Sequence, residues 1–136
     1  MIATHKYTDD EIQMLRYERV KNLGKTEREK MNEGRYDFLI DREKSWLEKQ
    51  PELKMLRDKL LSIDGTFIIF MYEDEYELNR IMNNGELTDG KNILMKQGKD
   101  GQCHFNTTQI WETNPERFRI YTGYAMSNDD KVWRQH

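Results

Sequence analysis

Over residues 1–63 the apolar positions recur at helical spacing, and near residue 64 the pattern changes to that of strands. Thr8-Asp9-Asp10-Glu11 is a capping box, with Thr8 as N-cap and Glu11 reaching back to it. Ile12, Leu15, Arg19 and Leu23 follow along one helical face, with Met14 and Val20 nearby, and Gly24 is a natural stop. Thr26-Glu27-Arg28-Glu29 is a second capping box, and the helix it opens pauses at Gly34. Tyr36, Leu39, Ile40 and Leu47 then form an apolar stripe with Trp46 beside it. Pro51 suits the first turn of another helix, whose buried face is Leu53, Leu56 and Leu60.

Asp64-Gly65 has turn chemistry, and the β-branched and aromatic run Thr66 to Tyr72 predicts a buried strand. Glu73 to Met82 predicts a short helix closed by Asn83-Asn84-Gly85. The glycine-containing stretch 85–101 reads as loop, with Asn92 to Met95 a short strand. A helix is expected over His104 to Thr113, ended by Asn114-Pro115. Arg117 to Met126 predicts a strand, Asn128-Asp129-Asp130 a hairpin turn and Lys131 to His136 the return strand. The expected class is α+β. A helical lobe over 1–63 packs on a small antiparallel sheet within a core over 64–136, and both form a single domain with a central cysteine-bearing helix. Trp111 and Trp133 are expected to anchor the core, and the alternating charges of 16–59 to be solvated helix faces.

A chain of 136 residues buries roughly two-thirds of its unfolded surface, so it needs no staples to fold. Its single cysteine excludes an internal disulfide and any multi-cysteine zinc site. His5, His104 and His136 have neither HExxH nor HxxxH spacing, so neither a metal nor another cofactor is expected. Charged residues make up 35% of the chain, yet the net charge is only −3, and the acidity falls in 61–136. That balance argues against nucleic acid as the partner, because phosphate binding needs a basic surplus. No apolar run approaches the roughly 20 residues of a membrane span, and no signal peptide is visible. A cytoplasmic protein with Cys103 kept reduced is expected.

Chemistry concentrates in Gln97-Gly98-Lys99-Asp100-Gly101-Gln102-Cys103, where the lone cysteine stands at a predicted helix start. A helix N-terminus offers unpaired amides and the positive end of the dipole, and both favour a thiolate. The same amides can bind a developing oxyanion, glycines allow close approach, and a glutamine amide can supply a second oxyanion donor. The pattern Gln-Gly-x-x-Gly-x-Cys resembles the active-site entry of papain-like cysteine proteases, and Gln97 and Cys103 have that family's glutamine-to-nucleophile spacing.

More broadly, Cys103-His104-Phe105-Asn106, Gly123-Tyr124-Ala125 and Trp133-Arg134-Gln135-His136 are similar, in order, to the core of small papain-fold proteins of bacteria and phages. The interval from cysteine to histidine is far shorter than in papain-like proteases. The resemblance implies Cys103 as nucleophile, His136 as general base and Gln97 as oxyanion donor. In that family an asparagine or aspartate normally follows the histidine and orients it. Here the candidate is Asn106, one helical turn beyond Cys103, ahead of Asp129 or Asp130. His104 points well round the helix from Cys103 and is read as a surface or substrate-side residue.

The implied function is a cysteine-dependent hydrolase or acyl transferase acting on amide, ester or isopeptide bonds of a protein or peptide-like substrate. The alternative is a non-catalytic interaction protein, such as a phage or mobile-element inhibitor of a host protein, that retains the papain-like core. A helical oligomer driven by the first half is a third reading.

Overall fold

The structure, a computed structural model, describes residues 5–71, 74–88, 103–117 and 123–135, with 103–107 described in backbone only. Within them the element order is α1 (Asp9–Lys21), α2 (Lys25–Lys30), a kinked segment (Met31–Arg35), α3 (Tyr36–Lys49), α4 (Leu53–Ile63), β1 (Phe67–Ile69), α5 (Glu75–Asn84), α6 (Cys103–Thr113), β2 (Tyr124–Met126) and β3 (Val132–Gln135). The class is α+β. The chain divides into two compact units, one of Met1–Gly85 with Tyr124–Gln135 and one within Glu86–Gly123. The first unit holds every described element except α6.

Local chemistry explains most helix ends. Thr8 caps α1 through the expected box, its hydroxyl accepting from the Glu11 amide while the Glu11 carboxylate accepts from the Thr8 amide. The second expected box does not form. Helix α2 starts at Lys25 with Gly24 as N-cap, and the Gly24 carbonyl accepts from the Arg28 amide at 3.0 Å. Gly24 therefore opens the second helix instead of closing the first, so Thr26 already lies inside the helix and cannot cap it. Gly34, with φ of 115°, bends the chain between α2 and α3 as anticipated. Asp74 caps α5 by accepting from the Tyr76 amide.

The sheet has the order β1-β3-β2. β2 and β3 form the expected antiparallel hairpin, pairing Met126 with Trp133 and Tyr124 with Gln135. β1 runs parallel to β3, pairing Phe67 with Val132 and Ile69 with Arg134. The sheet is thus mixed where a wholly antiparallel one was expected. A parallel neighbour requires a long crossover, and α5 and α6 lie in the chain between β1 and β3. β1 is shorter than the predicted run over Thr66 to Tyr72; Phe67 and Ile68 are buried as predicted, and Ile69 is half-buried. The expected strand over 92–95 lies outside the described residues.

Two apolar clusters flank the central strand, as its alternation requires. Trp133 and Ile68 face Ile12, Leu53, Leu56, Leu60, Leu61, Phe70 and Leu78. Val132 and Phe67 face Leu23, Met31 and Leu39. Trp133 anchors the core as expected, whereas Trp111 remains 37% exposed. The Gly65 backbone approaches the Trp133 indole so closely that a Cβ there would collide with it, and φ is 101°. The indole Nε1–H donates to the Asp64 carbonyl at 2.9 Å across this contact.

Candidate active site and the buried charges

The N-terminal half does not present all its charges to water. Arg16, Glu43, Arg57, Asp58 and Lys59 are buried, which corrects the expectation of solvated faces throughout 16–59. Burial is tolerable because each is held by hydrogen bonds or an opposite charge. Arg16 of α1 pairs with Glu43 of α3, donates to the Thr66 carbonyl at 2.8 Å and lies 4.5 Å above the Phe67 ring centroid. The Thr66 hydroxyl donates to the Asp130 carbonyl at 2.9 Å, and the Thr66 amide donates to the Lys131 carbonyl at 2.8 Å. One pair thereby ties α1 and α3 to the start of β1 and, through it, to the turn before β3.

Cations of one helix also satisfy carbonyls at the C-terminal end of another. Lys59 of α4 donates to the Ile81 and Met82 carbonyls near the end of α5, and Arg19 of α1 donates to the Leu61 carbonyl in the last turn of α4 and to the Gly65 carbonyl just past its end. Arg57 and Asp58 pair side by side, and Asp58 also accepts from the Tyr7 amide at 3.4 Å.

A further charged centre joins the kinked segment Met31–Arg35 to the β2–β3 hairpin. The Asp130 carboxylate accepts from Arg35 Nη2 at 2.8 Å, from Arg134 Nη2 at 2.9 Å and Nη1 at 3.3 Å, and from the Val132 amide at 3.1 Å. Burial pushes the Asp130 carboxyl up, but the hydrogen bonds from Arg134 and Val132 and the charges of Arg134 and Arg35 outweigh it, so it titrates below the usual aspartate range. The Asp130 hydrogen bond raises Arg134 in turn. Asp130 has no acceptor capacity left for orienting a histidine.

Of the four residues that the sequence points to, Cys103 is the first residue of α6 and Asn106 lies one turn further along the same helix. Gln97 and His136 lie outside the described residues. Helix α6 ends at Thr113, ahead of the Asn114-Pro115 break, where the Asn114 amide donates to the Trp111 carbonyl at 3.1 Å. β3 ends at Gln135, the residue before His136 in the chain. The structure therefore brings Cys103 and Asn106 together on one helix and leaves the other two members of the set unplaced.

The exposed side of α1 carries a surface depression of about 550 Å³ lined by Asp10, Gln13, Met14, Tyr17 and Tyr36. Met14 and Tyr17 are mostly exposed there. Tyr36 closes one side and meets Phe67 edge-on at 5.2 Å. Its phenol is raised by burial, against the opposing charge of Arg16, and so stays neutral at physiological pH.

The sequence reading missed both buried charge centres. Glu43 and Arg16 carried a signal, since Glu43 sits midway between Leu39 and Leu47 in the α3 stripe and Arg16 one turn after Ile12. A charge in the middle of an apolar stripe implies a partner. Asp130 and Arg35 carried none, because they meet only across a long stretch of chain. Among the described residues, no group of three or more His, Cys, Asp or Glu is placed to hold a metal ion, and no helix is long and apolar enough to cross a membrane. Compared with known proteins, the chain matches no family model, no curated protein and no solved structure.

Proposed function

We propose that this protein is a cysteine-dependent hydrolase or acyl transferase acting on amide, ester or isopeptide bonds of a protein or peptide-like substrate. The observation that carries the reading is that α6 opens at Cys103. First-turn amides of a helix have no intrahelical acceptor, so a thiolate at this position gains hydrogen bonds and the favourable end of the dipole. The chain order after it also suits the reading, with the hairpin β2–β3 running up to His136.

In this reading His136 takes the Cys103 proton, and the thiolate forms a C–S bond to the substrate carbonyl carbon. Helix amides and the Gln97 side chain hold the oxyanion. When the tetrahedral species collapses, the C–N or C–O bond breaks and the imidazolium returns the proton to the leaving group. Water, or an acceptor amine, then attacks the thioester with His136 again as base. Asn106 is the orienting candidate for the histidine. A reducing cytoplasm would keep the thiol free.

The second reading, a non-catalytic interaction protein that binds a host factor, is favoured by the exposed Met14 and Tyr17 beside the depression on α1. One pair of measurements separates the two. Iodoacetamide labelling of Cys103 as a function of pH should give an apparent thiol pKa well below the free value of about 8.5, and His136→Ala should move it upward. A thiol that titrates at the free value, in a protein whose effect in cells survives Cys103→Ala, rejects catalysis in favour of binding.

A further inference from the structure

The centre formed by Arg35, Asp130 and Arg134 holds more positive charge than its internal partner can absorb. The Asp130 carboxylate is filled by four donors, three from the two guanidinium groups and one from the Val132 amide. Arg35 uses a single nitrogen for this bond, Nη2. Its Nε is buried and has no hydrogen-bond partner among the described residues. A buried donor left unmade costs about 1–3 kcal/mol, so an orphan of this kind calls for an absent acceptor.

Neighbouring charges leave the imbalance in place. Glu27 lies close enough to act on Arg134, but among the described residues it is itself paired with Lys30 at 3.3 Å. A local surplus of positive charge is unexpected in a chain of net charge −3. The two guanidinium groups are also reachable, with side chains 35% and 33% exposed, while Asp130 beneath them is 7% exposed.

The backbone holds the two arginines from independent elements. Arg35 follows Gly34, whose φ of 115° kinks the chain between α2 and α3, and Arg134 projects from the central strand on the face of Val132. Asp130 fixes the Arg134 guanidinium through two nitrogens and tethers that of Arg35 through one, which lowers the entropy lost when a ligand is clasped. We infer that Arg35 and Arg134 form a binding site for an oxyanion, a phosphate or carboxylate group carried by a ligand. The incoming oxygens accept from the free N–H groups of Arg35 and from the N–H groups of Arg134 left over once its Nη1 and Nη2 have donated to Asp130 and its Nη1 also to the Val132 carbonyl at 3.3 Å. A small rotation of the one-third exposed Arg35 guanidinium brings Nε–H into that set. Planar guanidinium groups suit such bidentate contacts better than lysine would.

The test is an NMR titration of the complete, 15N-labelled chain. Sodium phosphate and sodium glutarate are added in separate series, with sodium chloride at matched ionic strength as reference. The Arg35 Nε–H and the Val132 and Arg134 amide resonances should shift saturably with at least one oxyanion and not with chloride. Saturation by phosphate alone names a phosphate ligand, and saturation by glutarate alone names a carboxylate. Arg35→Gln should weaken the binding about tenfold, the loss of one charge-assisted bond, and Arg35→Lys should recover part of it. If Arg35→Gln fails to fold, the wild-type and Arg35→Lys series still decide. Equal, unsaturated shifts in the phosphate, glutarate and chloride series overturn the inference.

Discussion

Arg16 and Glu43 show how single charged residues organise this fold. A buried guanidinium is costly alone, yet here it meets a carboxylate, a backbone carbonyl and an aromatic face together. Removing one partner is therefore worse than removing both. Glu43→Ala should destabilise the protein by about 3–5 kcal/mol in urea unfolding, because Arg16 stays buried without its counter-charge. The double variant Arg16→Met/Glu43→Leu should recover a large part of that loss, since well-packed apolar side chains need no partner. A double variant no more stable than Glu43→Ala would show that the Arg16 bond to Thr66, not the ion pair, carries the effect. The Arg35 and Arg134 guanidinium groups belong to the same scale, but their chemistry is turned outward and left incomplete.

At the scale of elements, the turn between α4 and β1 is a tight constraint. Gly65 combines a positive φ with direct contact to the Trp133 indole, and the same indole donates to Asp64. Gly65→Ala should lower stability and shift tryptophan fluorescence, because the side chain has to displace an indole that fills the core beside Leu60 and Ile68. Unchanged stability and emission would mean that the turn relaxes elsewhere. Helix ends were readable from sequence where the cap is local, as at Thr8, and misread where two caps compete, as at Gly24 and Thr26. The direction of β1 relative to β3 was not readable. Alternation of side chains specifies which face of a strand is buried but not which neighbour pairs with it. The half of the candidate site legible in sequence is likewise the local half, namely Cys103 opening α6 and Asn106 one turn on. The arginines around Asp130 were not, because ninety-five positions separate Arg35 from its partner.

For the whole molecule, the Asp130 centre links helices to sheet and should set part of the response to acid. Asp130 titrates below the aspartate range in the folded protein, and Asp64 does too, where burial is outweighed by the Gly65 amide and by Lys131 and Arg19. A carboxyl depressed on folding contributes stability above its unfolded pKa of about 3.9, and that contribution is lost as the pH falls through the folded value. Stability should hold from neutral pH down to about pH 4 and then decline. Asp130→Asn, which cannot ionise, should be less stable at neutral pH and show a shallower decline below about pH 4 when urea midpoints are compared. Parallel acid limbs in the two proteins would assign the acid response to other carboxylates.

The sequence by itself determined what depends on neighbours a few residues apart: the helical first part, the Thr8 cap, the break at Gly34, the β2–β3 hairpin and the start of a helix at Cys103. Each rests on local periodicity, capping or backbone freedom, which short stretches of chain specify without outside help. The tertiary structure decided which charges go inside and what they hold. Arg16 with Glu43, Lys59 with the end of α5, and Arg35 with Asp130 join segments far apart in the chain. It also set β1 parallel to the central strand. These choices depend on desolvation and geometry that exist only once distant elements meet; a local pattern can mark a charge that needs a partner, as at Glu43 in the α3 stripe, but cannot name that partner.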